Sequence, residues 1–314
     1  MKVVGLVLAS ILVAAVLGEI AVRVVYGPKF RPRAVFGVGD AHLGWKPAPG
    51  LDDTFYGPDY SIHIRTDADG YRLGELGEAD YSRGLIVLLG DSYAFGWGLS
   101  TGDTFASRLD ALMSSESGGS LRVVNLGVGG YGDLQSADRF EEFLHTHPQA
   151  SVRAVIDQHC MNNGVDNFRS FGYHLGRWEV EPVERPRSPL HLVNLIAYAR
   201  KVSSRKSSGE ATMMAGDPEG ADMLWSYQRK GAVVTLPDST VVGGQQIRLD
   251  PATYQDNLRV DSADRTASLA PAQREIMTGA FNLLHAACAR RGARGAGNAR
   301  PVARYLPHGL LPEG

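Results

Sequence analysis

The chain has 314 residues, of which 44% are hydrophobic and 21% charged, and its 32 basic side chains nearly balance 34 acidic ones. This composition is that of a globular protein and excludes disordered, fibrous and multi-span membrane proteins. A formal net charge of −2 gives no electrostatic reason to expect nucleic acid as a partner, because proteins that bind it carry a clustered basic excess. Two cysteines are too few for a disulfide framework.

The first 26 residues are predicted to form a signal anchor or transmembrane helix. An almost uninterrupted apolar run covers 3–17, and a helix that continued to about 20 residues would cross a bilayer. Glu19 and Arg23 are four residues apart, so they can pair on one helical face. No clear A-x-A cleavage site follows, which favours an uncleaved anchor. We therefore expect a single-pass protein of the cell membrane whose remaining chain is extracytoplasmic. A secreted or periplasmic protein, released by cleavage, is the alternative.

The remaining chain is predicted to be one α/β domain, over 84–314, behind an irregular lead-in. Residues 27–83 are rich in Gly, Pro, Asp and Tyr and contain a small β element but no long helix. Apolar runs typical of strands then alternate with stretches whose apolar residues recur at helical spacing. Strands are predicted at 85–89, 121–126 and 152–160, and helices at 104–113 and 136–144. Asp103 is the predicted N-cap of the first of these helices. The alternation is typical of βαβ units and predicts a parallel sheet covered by helices on both faces.

The second half of the domain is less regular. Residues 201–256 are predicted to be an insertion, with an exposed loop at 201–221 and a hairpin around Gly243-Gly244. An apolar helical stripe at 271–291 should lead into a further core strand. The stretch 286–304 is instead mostly Ala, Arg and Gly, unlike the Val- and Ile-rich strands of a buried sheet. We therefore expect an aberrant, frame-shifted or truncated C-terminus.

Polar motifs directly follow the three predicted strands, at the end of a parallel sheet where ligands bind. Ser92 comes after the first strand and before a helix, so its hydroxyl can reach a substrate while its own N–H faces the same point. Glycines at 127–130, after the second strand, let the backbone approach a ligand closely. Asn162, after the third, has an amide that can donate a hydrogen bond to an oxyanion.

In the order and spacing of these motifs the chain resembles the SGNH (GDSL-like) hydrolase superfamily, and specifically its membrane-anchored bacterial branch. The matching stretches are 87–98, 125–130, Asn162-Asn163, Asp166-Asn167 and Asp69-Gly70-Tyr71-Arg72. The resemblance implies Ser92 as the nucleophile, Gly130 and Asn162 as oxyanion donors, and a three-layer flavodoxin-like α/β fold. Asn163 stands where the family usually has Asp.

The family's general base comes from a late Asp-x-x-His block that this sequence does not contain. His308 is the only late histidine, and Tyr305 rather than Asp stands three residues before it. His308 is therefore the one candidate base that the resemblance offers. His159 precedes the Asn162 motif and is expected to pack beneath it. No pair of histidines has metal-ligand spacing with a supporting third residue, so neither a metal nor another cofactor is predicted.

The resemblance implies a serine esterase that cleaves an ester-linked acyl group through an acyl-Ser92 intermediate. Its partner would be an acylated small molecule or a carbohydrate of the cell envelope. Carbohydrate O-acetyltransferases share these motifs, so acyl transfer is an alternative to hydrolysis. Because the Asp-x-x-His block is missing, a catalytically inactive, membrane-anchored binding module is the third possibility.

Overall fold

The computed structural model describes most of the first half of the chain and seven separate parts of the second. The described residues are 2–30, 36–40, 42–56, 60–159, 166–167, 171, 174, 188–207, 239–248, 266–294 and 303–305. The helices are α1 (Lys2–Tyr26), α2 (Ser92–Phe95), α3 (Phe105–Glu116), α4 (Asp133–Thr146), α5 (His191–Ser207) and α6 (Thr266–Arg294). The strands are β1 (Gly37–Asp40), β2 (Gly44–Pro47), β3 (Asp52–Tyr56), β4 (Ser61–Arg65), β5 (Gly84–Gly90), β6 (Leu121–Asn125), β7 (Ser151–Gln158), β8 (Ser239–Val242), β9 (Gln245–Arg248) and β10 (Ala303–Tyr305).

A four-stranded parallel sheet, in the order β10-β7-β5-β6, forms the centre of the α/β region. β5 lies between β6 and β7, and its last residue, Gly90, is paired with Gln158 of β7. The other strands form three separate antiparallel pairs, β1-β2, β3-β4 and β8-β9. The α/β class and the parallel sheet predicted from the sequence are confirmed.

Helices cover both faces of this sheet. Successive side chains of β5 point to opposite faces, so each face of the strand packs against helices. Val87 belongs to a buried cluster with Phe140 of α4 and Leu284 of α6. Leu88 belongs to a second cluster with Ala106 of α3. β5 is therefore buried on both sides, which explains why its sequence is a continuous apolar run rather than an alternating one.

Two sequence predictions about helix boundaries were wrong. Thr104, not Asp103, caps α3: the Thr104 hydroxyl accepts a hydrogen bond from the Ser107 N–H at 3.1 Å, whereas Asp103 lies in a preceding 3₁₀ turn. Residues 201–207, predicted to begin an exposed loop, instead continue α5. The rest of that predicted loop lies outside the described residues.

The hairpin predicted around Gly243-Gly244 is confirmed, with β8 and β9 on either side of these glycines. The predicted late helix is also present and continues to Arg294. β10, which follows it, adds a short parallel strand beside β7. The aberrant or truncated C-terminus stays a prediction.

The N-terminal helix α1 is long and apolar enough to cross a membrane or to serve as a signal sequence. Its predicted ion pair is confirmed, since the Arg23 Nε donates to Glu19 Oε1 at 2.7 Å. The same carboxylate accepts the backbone N–H groups of His191 at 3.0 Å and Leu192 at 2.8 Å. Glu19 therefore caps the N-terminus of α5 and ties that helix to α1.

Glu19→Ala is expected to loosen the first turn of α5. The substitution removes the acceptor of two helix N–H groups, and a lost cap costs about 1 kcal/mol. Amide exchange at His191 and Leu192 should become about fivefold to tenfold faster, as measured by hydrogen–deuterium exchange of the full chain in detergent. Arg23→Ala is the matched control, because it removes the ion pair but leaves the cap. Equal exchange rates in the two variants would contradict the capping role.

Candidate active site

Ser92 lies at the carboxyl end of the central strand. It is the first residue of α2, and Asp91 caps that helix by accepting the Tyr93 N–H at 2.9 Å. Gly90 has a φ of +138°, and a Cβ there would lie 2.7 Å from the Gln158 carbonyl oxygen, so the turn requires glycine. Ser92 is partly exposed, and its hydroxyl has no hydrogen-bond partner among the described residues. The sharp turn thus presents an accessible hydroxyl at the carboxyl end of the sheet.

Arg72 holds the end of the helix that Ser92 begins. Its buried guanidinium donates to the carbonyl oxygens of Phe95 at 2.8 Å, Gly96 at 3.0 Å and Leu99 at 2.6 Å. It also lies over the Phe95 ring, 4.5 Å from the ring centroid. Burial lowers the pKa of Arg72 to about 10, so the group is still charged at neutral pH. The upstream motif therefore has a positioning role beneath the serine turn.

The glycine-rich motif after β6 packs directly on α2. The Asn125 Nδ2 donates to the Ala94 carbonyl oxygen at 2.9 Å, and Asn125 Oδ1 accepts the Gly127 N–H at 2.9 Å. A Cβ on Gly127 would lie 2.7 Å from the Phe95 backbone nitrogen. Glycine is needed here because the two backbones are in contact.

Residues of the lead-in position the Gly130 segment. The Trp45 Nε1 donates to the Gly129 carbonyl oxygen at 3.0 Å, and the buried Tyr131 hydroxyl donates to the Trp45 carbonyl oxygen. The Gly130 N–H donates to no residue in the described part of the chain. The structure thus places Ser92 and Gly130 after adjacent strands, while their catalytic roles stay predictions.

Asn162 and His308, the other two predicted site residues, lie outside the described residues, as does Asn163. Their roles also stay predictions. Asn167, of the matching stretch Asp166-Asn167, is described and fully buried. Its Oδ1 accepts the Leu134 N–H at 2.8 Å, and its Nδ2 donates to Asp133 Oδ2 at 2.7 Å. Asn167 therefore contacts the N-terminus of α4.

A histidine–aspartate pair lies at the same carboxyl end of the sheet and was not predicted from the sequence. The His159 Nδ1 and Asp133 Oδ1 are 2.8 Å apart, and the Asp133 side chain is 1% exposed. The hydrogen bond to Asp133 raises the pKa of His159, helped by the charges of Asp133, Asp157 and Asp91 and opposed by burial. β7 ends at Gln158, two residues earlier than predicted. With that boundary, His159 is itself the first residue after a strand, which is the signal that could have found it.

Asp157, near the end of β7, is a second unusual carboxyl group. Asp157 is buried, and its oxygens have no hydrogen-bond partner among the described residues. Burial, reinforced by the charge of Asp133 and opposed by His159, raises the pKa of Asp157 to about 7. The described residues contain no cluster of His, Cys, Asp or Glu arranged to hold a metal ion.

Asp157→Asn is expected to stabilise the protein at neutral pH but not in acid. The pKa of Asp157 is raised on folding, so its contribution to stability is present below about pH 4 and is lost as the pH rises to about 7. At about 1.4 kcal/mol per pKa unit, the variant should gain on the order of 3 kcal/mol in unfolding free energy between those limits. Urea unfolding at pH 4.5 and pH 8 measures this gain. Asp103→Asn, at an exposed site, is the control, and a pH-independent difference would contradict the burial of an ionisable carboxyl.

Comparison with solved structures finds the esterase AlinE4, described as an SGNH-hydrolase family esterase, and two mutants of it. AlinE4 is 22% identical, and the match covers 31% of this chain and 53% of that chain, with a TM-score of 0.24. These neighbours are SGNH hydrolases. No protein-family model and no curated protein matches the chain. The chain spans about half the length of the structures it matches.

Proposed function

We propose that the protein is an SGNH-type serine esterase that cleaves ester-linked acyl groups through an acyl-Ser92 intermediate. The observation that carries the proposal is the position of Ser92, at the first turn of a helix that directly follows the central strand of a parallel sheet. Ligands bind at this end of parallel sheets, and a serine on a sharp strand-to-helix turn exposes its hydroxyl there.

The proposed chemistry needs two displacements at one carbonyl carbon. The Ser92 oxygen attacks the acyl carbon as its proton passes to a base, and the ester carbonyl oxygen becomes an oxyanion. The intermediate collapses, the alcohol leaves with that proton, and water then releases the acid and restores Ser92. The N–H groups of Ser92 and Gly130 and the amide of Asn162 are the proposed oxyanion donors. Removing one such donor costs about 10²- to 10³-fold in rate.

The proposal places this chemistry outside the cytoplasm, on a protein held in the membrane by α1. The helix supports the anchor because its apolar side chains are exposed along almost its whole length. The proposed substrate is an acylated small molecule or an acylated carbohydrate of the cell envelope.

Labelling of the full chain with a fluorophosphonate in detergent, followed by peptide mapping, tests the proposal. We expect one covalent adduct, on the peptide that contains Ser92. Ser115→Ala, at an exposed site on α3, is the matched control and should leave labelling unchanged. A folded sample that is not labelled at Ser92 would contradict the esterase and favour the inactive binding module.

A further inference from the structure

We propose that His159, oriented by Asp133, is the general base that accepts the Ser92 proton. This inference rests on the acyl-serine chemistry proposed above. The base would then lie directly after β7, beside the strand that leads to Ser92.

The strand order brings the pair to the serine. β5 lies between β6 and β7, Asp133 begins the helix that follows β6, and His159 follows β7. Their hydrogen bond therefore joins the segments on either side of the end of β5, where Ser92 lies. Gly90 and Gln158 are paired and are the last residues of β5 and β7, so Asp91 and His159 are the first residues beyond the two neighbouring strand ends.

The aspartate is fixed in the way an orienting carboxylate requires. Its side chain is 1% exposed, and its second oxygen accepts the Asn167 Nδ2 at 2.7 Å. Asn167 is in turn bonded to the Leu134 N–H, in the first turn of α4. With the His159 Nδ1 bonded to Asp133, Nε2 is the nitrogen that accepts a proton, as in the serine–histidine–aspartate arrangement.

The charges around the ring favour the imidazolium that proton transfer creates. Three carboxyl groups contribute negative charge at His159: Asp91 at the start of α2, Asp133 on α4 and Asp157 on β7. From α6 it meets the Phe281 ring, 6.4 Å between centroids, which carries no charge. The pKa of His159 is raised above its ordinary value of about 6.5. The Ser92 hydroxyl donates to no described residue, and contacts between nucleophile and base commonly tighten only when substrate binds.

The rate of Ser92 labelling by a fluorophosphonate, measured from pH 5 to pH 9, tests the base directly. His159→Ala should slow labelling by about 10²- to 10⁴-fold, and added imidazole should restore part of the rate. The matched control is His63→Ala, which removes another histidine bonded to an aspartate, Asp52, at 2.7 Å in the lead-in. That variant should label at the parent rate.

Asp133→Asn keeps the side-chain shape and gives a second test that does not depend on how well His159→Ala folds. Loss of the carboxylate lowers the pKa of His159, so the acid limb of the pH–rate profile should move to lower pH while the rate falls. If the His159–Asp133 pair had only a structural role, the acid limb of the pH–rate profile would not move. Suppose that Ser92 is labelled in both variants at the parent rate, with the same acid limb of the pH–rate profile and no effect of imidazole. His159 is then not the general base, while the proposal of a serine esterase is unaffected. If the parent is not labelled at Ser92, the esterase itself is wrong.

Discussion

Replacing Ser92 with alanine is expected to abolish ester turnover while leaving the fold intact. The Ser92 hydroxyl has no hydrogen-bond partner among the described residues and is partly exposed, so its loss should change the unfolding free energy by less than about 0.5 kcal/mol. The chemistry, in contrast, loses its nucleophile, and such a loss lowers kcat by on the order of 10⁶-fold in a serine protease. Hydrolysis of p-nitrophenyl acetate and thermal unfolding, measured on the same preparation, check both expectations.

Ser115→Ala is again the matched control, since it removes an equivalent hydroxyl from an exposed position on α3. It should leave both turnover and unfolding at the parent values. Turnover that persists in folded Ser92→Ala would show that another group on the chain performs the hydrolysis, and the acyl-Ser92 intermediate would have to be abandoned.

The sequence predicts the sheet and the serine turn because both depend on neighbouring residues. β5 is buried on both faces, so its apolar run is continuous and ends visibly at Gly90. Ser92 follows within two residues, and its position after a strand can be read without knowing any long-range contact. The motif around Asn125 can be found in the same way, from the run that precedes it.

The contacts that shape the site were not predictable in this way. Asp133 and His159 are 26 residues apart, and Trp45 lies 84 residues from the carbonyl of Gly129 that it binds. No periodicity specifies such pairs, since they depend on how strands are ordered in the sheet. The local capping rule failed at α3, where two neighbouring residues compete for the cap. The cap of α5 by Glu19 depends on a residue far away in the sequence, which no local rule could indicate.

Arg72 lies outside the reacting groups, and its loss should strongly destabilise the fold. In Arg72→Met, the buried carbonyl oxygens of Phe95 and Gly96 and the partly buried carbonyl oxygen of Leu99 lose their donor. Each unsatisfied buried group costs about 1–3 kcal/mol, so we expect a loss of about 3–5 kcal/mol in unfolding free energy by urea denaturation. Arg83→Met, at an exposed arginine, is the control and should change it by less than about 0.5 kcal/mol.

A lysine at position 72 separates the hydrogen-bonding geometry from the charge. Arg72 spreads its donors over two nitrogens to reach three carbonyls, and an ammonium group on a single nitrogen cannot reproduce that spread. Arg72→Lys should therefore retain the charge but recover only part of the stability lost in Arg72→Met. Because α2 begins with Ser92, its displacement by about 1 Å should also slow Ser92 labelling by about 10²-fold. Full labelling in a folded Arg72→Lys protein would show that the serine turn holds its position without the guanidinium.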